Sequence, residues 1–124
     1  MGTILAVLFF VVSPIELEKT VIDGFKLKEF TCPTCTTVIL NKELLVRLDI
    51  LRKVYGGPII ITSGYRNPSH NLKVGGTPGS AHLRGEAIDF ALPKKPKMFI
   101  DLLRKIFPFV QVNYNRNYAH AEIN

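Results

Sequence analysis

Leu44, Leu48, Leu51 and Tyr55 recur at intervals of three and four, which predicts an amphipathic helix over residues 41–55. Asn41 can cap its start, and Glu43 with Arg47 and Asp49 with Lys53 pair four apart on the outer face. Gly56, Gly57 and Pro58 end it. A second helical stripe, Phe99, Leu102, Leu103 and Ile106, starts after Pro96 and stops at Pro108. Elsewhere the period is two or the run is continuous. Residues 25–30 alternate apolar and charged, predicting a short half-buried strand. The β-branched run at residues 59–62 predicts a buried strand. Residues 87–92, 110–114 and 118–123 also have strand patterns, the last two joined by the turn Asn115-Arg116-Asn117. Residues 63–85, rich in Gly, Pro, Ser and Asn, read as a long loop, and a loop of that length in a compact domain points to function.

This order predicts an α+β fold: a small, mainly antiparallel sheet with helices packed on it. Residues 4–12 form an unbroken apolar run, too short to span a bilayer as a helix. Two readings stand side by side. The run resembles the middle of a secretory signal, although no Lys or Arg precedes it and no small-x-small cleavage site follows. Equally, it suits a buried strand or an arm packed on the domain. The expected division is an apolar N-terminal segment at 1–20 and one functional domain at 21–124, and membrane contact by residues 4–12 is left open.

A chain of 124 residues with 47% hydrophobic and 21% charged residues supports one domain with its own core. The net charge of +6 favours anionic partners. The basic residues are scattered apart from Lys94, Lys95 and Lys97, with no basic helix or interleaved aromatic motif, which argues against nucleic acid. Cys32 and Cys35 are half of a structural zinc site with no second pair, and they lack the strand–helix context of a redox pair. The expectation is two thiols or a local disulfide in a loop.

The candidate chemistry centres on two of the three histidines, His82 and His120; the third is His70. Asp89 sits in an apolar run, where an ionised carboxylate is costly unless a cation compensates it. On a strand, Asp89 shares a face with Ala87, which leaves it room. Tyr118, His120 and Glu122 would likewise share one strand face. Singly, each residue has a plain structural reading: a hydrogen-bonded His, an Asp in a turn, a packed Tyr. Their combination with the glycine-rich loop carries the functional one.

The stretch Ser63-Gly64-Tyr65-Arg66-Asn67-Pro68, then His70-Asn71, Val74-Gly75-Gly76, and Ser80 through Asp89, resembles the zinc D-alanyl-D-alanine carboxypeptidase family, which shares its fold with the Hedgehog signalling domain. Ser80, His82, Gly85, Ala87 and Asp89 match the family pattern Ser-x-His-x-x-Gly-x-Ala-x-Asp, and His120 with Glu122 resembles its later His and acid. The likeness runs over roughly residues 24–123. It implies a catalytic Zn2+ held by His82, Asp89 and His120, with an open position for water. It implies that Arg66 orients substrate, with Ser80 assisting, and that Gly75, Gly76 and Gly85 allow tight turns.

The implied activity is hydrolysis of a peptide bond in bacterial peptidoglycan stem peptides, as a carboxypeptidase or endopeptidase. Its setting would be the periplasm or extracellular cell wall. Many small relatives come from phages, where they aid lysis or penetration of the wall. A monomer is expected. One departure matters: several branches of the family place the catalytic acid three residues before the last His, where this chain has Asn117. Glu122 is the substitute base, with Tyr118 available to donate a hydrogen bond to the tetrahedral intermediate. If Glu122 only supports His120, the alternative is a non-catalytic zinc module binding wall or protein ligands. A membrane-tethered structural protein is the weakest reading, resting on residues 4–12 alone.

Overall fold

Four short antiparallel strands and the two amphipathic helices build the core of the computed structural model, which describes residues 6–124. The order is β1 (Val7–Val11), α1 (Pro14–Leu17), β2 (Thr20–Ile22), β3 (Phe25–Lys26), β4 (Thr37–Asn41), α2 (Lys42–Tyr55), β5 (Ile61–Ser63), α3 (Pro68–Lys73), β6 (Ala87–Ala91), α4 (Pro96–Ile106), β7 (Phe109–Asn113) and β8 (Tyr118–Glu122). Short 3-10 turns occupy Leu27–Glu29 and Ala81–Arg84. The main sheet runs β5-β6-β8-β7, with β1-β4 and β2-β3 as two-stranded ribbons, every pairing antiparallel. The fold is α+β, as the pattern predicts.

Helix α2 follows its sequence closely. The Asn41 side chain accepts the Glu43 N–H, and Gly56 closes the helix in the left-handed region at φ 73°. It buries Leu44, Leu45, Leu48 and Leu51, while Tyr55 at its end is half-buried. Helix α4 buries Phe99, Ile100 and Leu103; Leu102 and Ile106 flank that stripe, half-buried. Phe99 stacks edge-on against Phe90 of β6 at 5.5 Å and Tyr55 of α2 at 5.1 Å, tying both helices to the sheet. Arg47 of α2 donates to the Ile106 carbonyl, one of the orphan acceptors at the end of α4.

Several elements differ from expectation. The loop at 63–85 is not structureless: it holds α3 and the turn at Ala81–Arg84. α3 is opened by the Asn67 side chain and the preset φ of Pro68, a local cap within a polar stretch that shows no apolar period. The strand expected at 25–30 is two residues long and then tightens into a 3-10 turn, because the Glu29 side chain turns back to accept the Lys26 N–H. The run at 59–62 pairs only from Ile61, and Ile60 is exposed. β4 has no counterpart in the prediction.

β4 matters because β1 pairs with it from Val7↔Asn41 to Val11↔Thr37. Leu8 and Phe10 turn toward the core, while Phe9 and Val11 face out. The described part of residues 4–12 contains strand β1, and residues 4–5 lie outside the described residues. Among the described residues, no helix is long and apolar enough to cross a membrane. Cys32 and Cys35 form a disulfide within their loop.

Candidate metal centre

One cross-strand row carries most of the site. Ser63 pairs with Asp89, Asp89 with His120, and His120 with Gln111, so residues of all four strands line up on one face. The next rows on that face are Ala87–Glu122–Phe109 and Ala91–Tyr118–Asn113. The small side chains of Ala87 and Ala91 leave space on either side of Asp89. The alternate residues Ile88, Phe90, Ala119 and Ala121 are fully buried on the opposite face. A period of two thus separates chemistry from core along β6 and β8.

His82 arrives from outside the sheet. The Ser80 hydroxyl caps its 3-10 turn by accepting the His82 N–H at 3.3 Å. Gly85 ends the turn at φ 67°, and a Cβ there would meet the Ile39 carbonyl oxygen at 2.2 Å, so glycine is required twice over. The turn is then tied down: Asn41 N–H donates to the Gly85 carbonyl and Arg66 N–H to the His82 carbonyl. The His82 ring is 2% exposed, and its Nδ1–H donates to the Gly64 carbonyl at 2.7 Å. This fixes the tautomer and aims the Nε2 lone pair at the site.

Three side chains converge. His82 Nε2 lies 3.2 Å and His120 Nδ1 2.7 Å from the same oxygen, Asp89 Oδ1. One ligand atom from each of His82, Asp89 and His120 lies within 4.8 Å of the others. Two ring nitrogens facing one carboxylate oxygen require a proton on each ring or a cation among them. Two imidazoles and a carboxylate are the donor set of a catalytic zinc site, so these residues fit the ion. Arg66 Nη2 donates to the other oxygen, Asp89 Oδ2, at 3.2 Å, and Glu122 Oε1 accepts from His120 Nε2 at 2.8 Å. Each outer partner turns its ligand's remaining atom inward.

The electrostatics follow from these contacts. Burial alone would raise the Asp89 carboxyl, but hydrogen bonds from His120 and His82, with their charges, hold it far below the usual carboxylate range. For His120, burial opposes the charge, and bonding to Asp89 and Glu122 outweighs it, so its pKa lies above the ordinary value. His70, on α3, stands apart from the metal set and lines a neighbouring cleft; burial, with Arg66 and Lys73, pushes its pKa down.

An open cleft of about 460 Å³ lies over the three ligands, and Arg66, Ser80, Tyr118 and Glu122 all line it. The sequence-predicted site residues are therefore brought together. Asn117 sits instead in the β7–β8 turn at φ 59°, a backbone state in which Asn is tolerated. Sequence reasoning assigned no role to the residues that hold others: Ser63 and Asn71 accept from Arg66, and the Gly64 carbonyl holds His82. The Ser63-x-x-Arg66 spacing was a usable signal. Gln111 was also missed, and only the strand register reveals it.

No curated protein matches this chain. The sequence profile of the peptidase M15 family matches residues 21–122, spanning every strand of the main sheet and all three clustered ligands. With that match over most of its length, the chain belongs to the peptidase M15 family of zinc D-alanyl-D-alanine carboxypeptidases.

Proposed function

We propose that the protein is a zinc-dependent peptidase that hydrolyses a peptide bond in bacterial peptidoglycan stem peptides. The observation that carries this reading is the convergence of His82, Asp89 and His120 at the floor of an open, polar cleft. Zinc held by these residues would supply Lewis-acid polarisation of the scissile carbonyl and a water with a pKa of roughly 7. The protein's own residues do the rest. Gly64 and Glu122 orient the two imidazoles, and Arg66 holds Asp89 by one oxygen, leaving the other for the ion. Glu122 lines the cleft beside His120, and among the described residues its second oxygen accepts no hydrogen bond. It is the general base that takes a proton from water and returns it to the leaving amine. The Tyr118 hydroxyl, in the same wall, donates to the developing oxyanion. Arg66 keeps unpaired N–H groups for a substrate carbonyl or carboxylate, and Ser80 supports the His82 turn at the substrate edge.

The setting we infer is the cell wall, periplasmic or extracellular, including delivery by a phage. The Cys32–Cys35 disulfide is in keeping with an oxidising compartment, and the charge of +6 with an anionic wall. One observation favours the second reading, a zinc module that binds wall or protein ligands without cutting: Glu122 is already committed through Oε1 to His120, and position 117 carries no acid. Incubating zinc-loaded protein with purified peptidoglycan and identifying new peptide ends by mass spectrometry separates the two. New ends that vanish in Glu122→Ala and His120→Ala support the peptidase. Intact wall peptides beside a protein holding one zinc per chain would leave only the binding module.

A further inference from the structure

A second open cleft, of about 560 Å³, adjoins the metal cleft. Arg66, Val74, Asp89, Arg116 and Tyr118 line both, so the two form one continuous trough with the candidate metal centre in one half. The second half has a definite charge. Its one acid, Asp89, is spoken for by Arg66 and the two histidines. The Arg66 charge is in turn paired with Asp89, although two of its five N–H groups stay free beside those given to Ser63, Asn71 and Asp89. That leaves Arg116, whose guanidinium has no hydrogen bond and no acidic partner within 4.0 Å among the described residues.

Arg116 is nonetheless held at its base. The Asn113 side chain accepts its backbone N–H at 2.9 Å, Asn117 N–H donates to the Tyr114 carbonyl, and Leu92 N–H donates to the Asn117 carbonyl. With Asn117 in the left-handed region, these bonds make a rigid β7–β8 turn. The side chain is thus an uncommitted cation on a fixed mount at the junction of the two clefts. A planar guanidinium so placed matches a carboxylate by paired, charge-assisted hydrogen bonds.

We propose that Arg116 is a specificity-determining residue that grips a free carboxylate of the substrate, lying in the second cleft beside the scissile bond at the metal. This deepens the peptidase reading above and rests on it for the position of the scissile bond. Two features of wall peptides offer that chemistry: the terminal carboxylate of a D-alanyl-D-alanine end and the α-carboxylate of D-glutamate in an L-alanyl-D-glutamate link.

The test titrates the zinc-loaded protein with non-cleavable ketomethylene isosteres of two peptide pairs. One pair is acetyl-L-lysyl-D-alanyl-D-alanine and its C-terminal amide. The other is acetyl-L-alanyl-D-glutamate and its α-amide. In the wild type, the acid of one pair is expected to bind at least about tenfold tighter than its amide, and that pair identifies the carboxylate. The preference should vanish in Arg116→Gln and return in part in Arg116→Lys, with unchanged thermal unfolding. An acid preference that survives Arg116→Gln, or no preference in either wild-type pair, overturns the proposal. Hydrolysis of the parent peptides is scored separately. A protein that shows the Arg116-dependent preference but cuts neither parent peptide nor peptidoglycan keeps this anchor and loses the peptidase reading. Cutting without the preference does the reverse.

Discussion

Asp89 Oδ1 has His120 Nδ1 at 2.7 Å and His82 Nε2 at 3.2 Å, and this crowding governs how substitutions in the site should behave. Asp89→Ala removes the shared acceptor and leaves the Arg66 cation short of a partner. Such a variant should retain less than about a tenth of the wild-type zinc by elemental analysis, since one of three protein ligands is gone. Glu122→Gln is subtler. The amide oxygen can still accept from His120, but the charge that strengthens the ring as a ligand is lost, so zinc affinity should fall by about 10- to 100-fold. At saturating zinc, kcat should fall by a further 100-fold or more if Glu122 moves the proton. A kcat that recovers fully at high zinc would make it a positioning residue alone. The raised pKa of His120 adds a pH dependence. Zinc must displace the proton held between Asp89 and Glu122, so affinity should drop as pH falls through that raised value. Without metal the sign reverses for stability. The His120 contribution is complete below its ordinary 6.5 and is lost as pH climbs through the folded-state value, so the metal-free melting temperature should decline over that interval.

The elements that frame the site have different tolerances. Phe99 is 1% exposed and meets both Phe90 and Tyr55, so Phe99→Ala should cost about 3–5 kcal/mol in urea unfolding. The loss should fall on stability more than on metal affinity, because Phe99 packs on the face of β6 opposite Asp89. Gly85→Ala should do both. Its φ of 67° is strained for any side chain, an added Cβ would run into the Ile39 carbonyl, and the turn that would have to shift carries His82. A loss of at least about 2 kcal/mol together with weakened zinc binding is the expected outcome, read by denaturation and metal titration on one preparation. Unchanged metal affinity in that variant would show that His82 does not depend on the turn for its position.

For the molecule as a whole, a metal at this centre would be coupled to the fold. The candidate ligands come from the 3-10 turn at Ala81–Arg84, β6 and β8, which meet only when the sheet has formed and the loop has docked on it. Zinc held there would bind the folded chain in preference to the unfolded one and would add to its stability by mass action. At a thousandfold excess over Kd this is about 4 kcal/mol, so stripping the metal should lower Tm by roughly 10 °C or more in calorimetry. A Tm indifferent to chelation would argue against an ion at this centre. The hydrophobic core, from Phe25 and Phe30 through α2 and α4 to β8, gives the metal-free protein a fold of its own. The expected result is a shift of the transition, with the transition itself preserved.

Much of this was legible in residue order alone. The two helices, the β6 and β8 strands, and the separation of Asp89 and His120 from the core follow from periods of 3.6 and two, because those periods state which side of an element meets water. The candidate ligands His82 and Asp89 lie in one dense local motif, and His120 was marked separately by the acid two residues after it. What tertiary structure decided was everything set by distant backbone. The β1–β4 pairing lies between segments with no local signal to join them. The Gly64 carbonyl selects the His82 tautomer from 18 residues away. The Ser63–Asp89–His120–Gln111 row exists only once register is set, since a one-residue slip would turn each of these side chains to the other face. Residue order determines which groups are available; hydrogen bonds between remote segments determine which atom of each group faces the candidate metal centre.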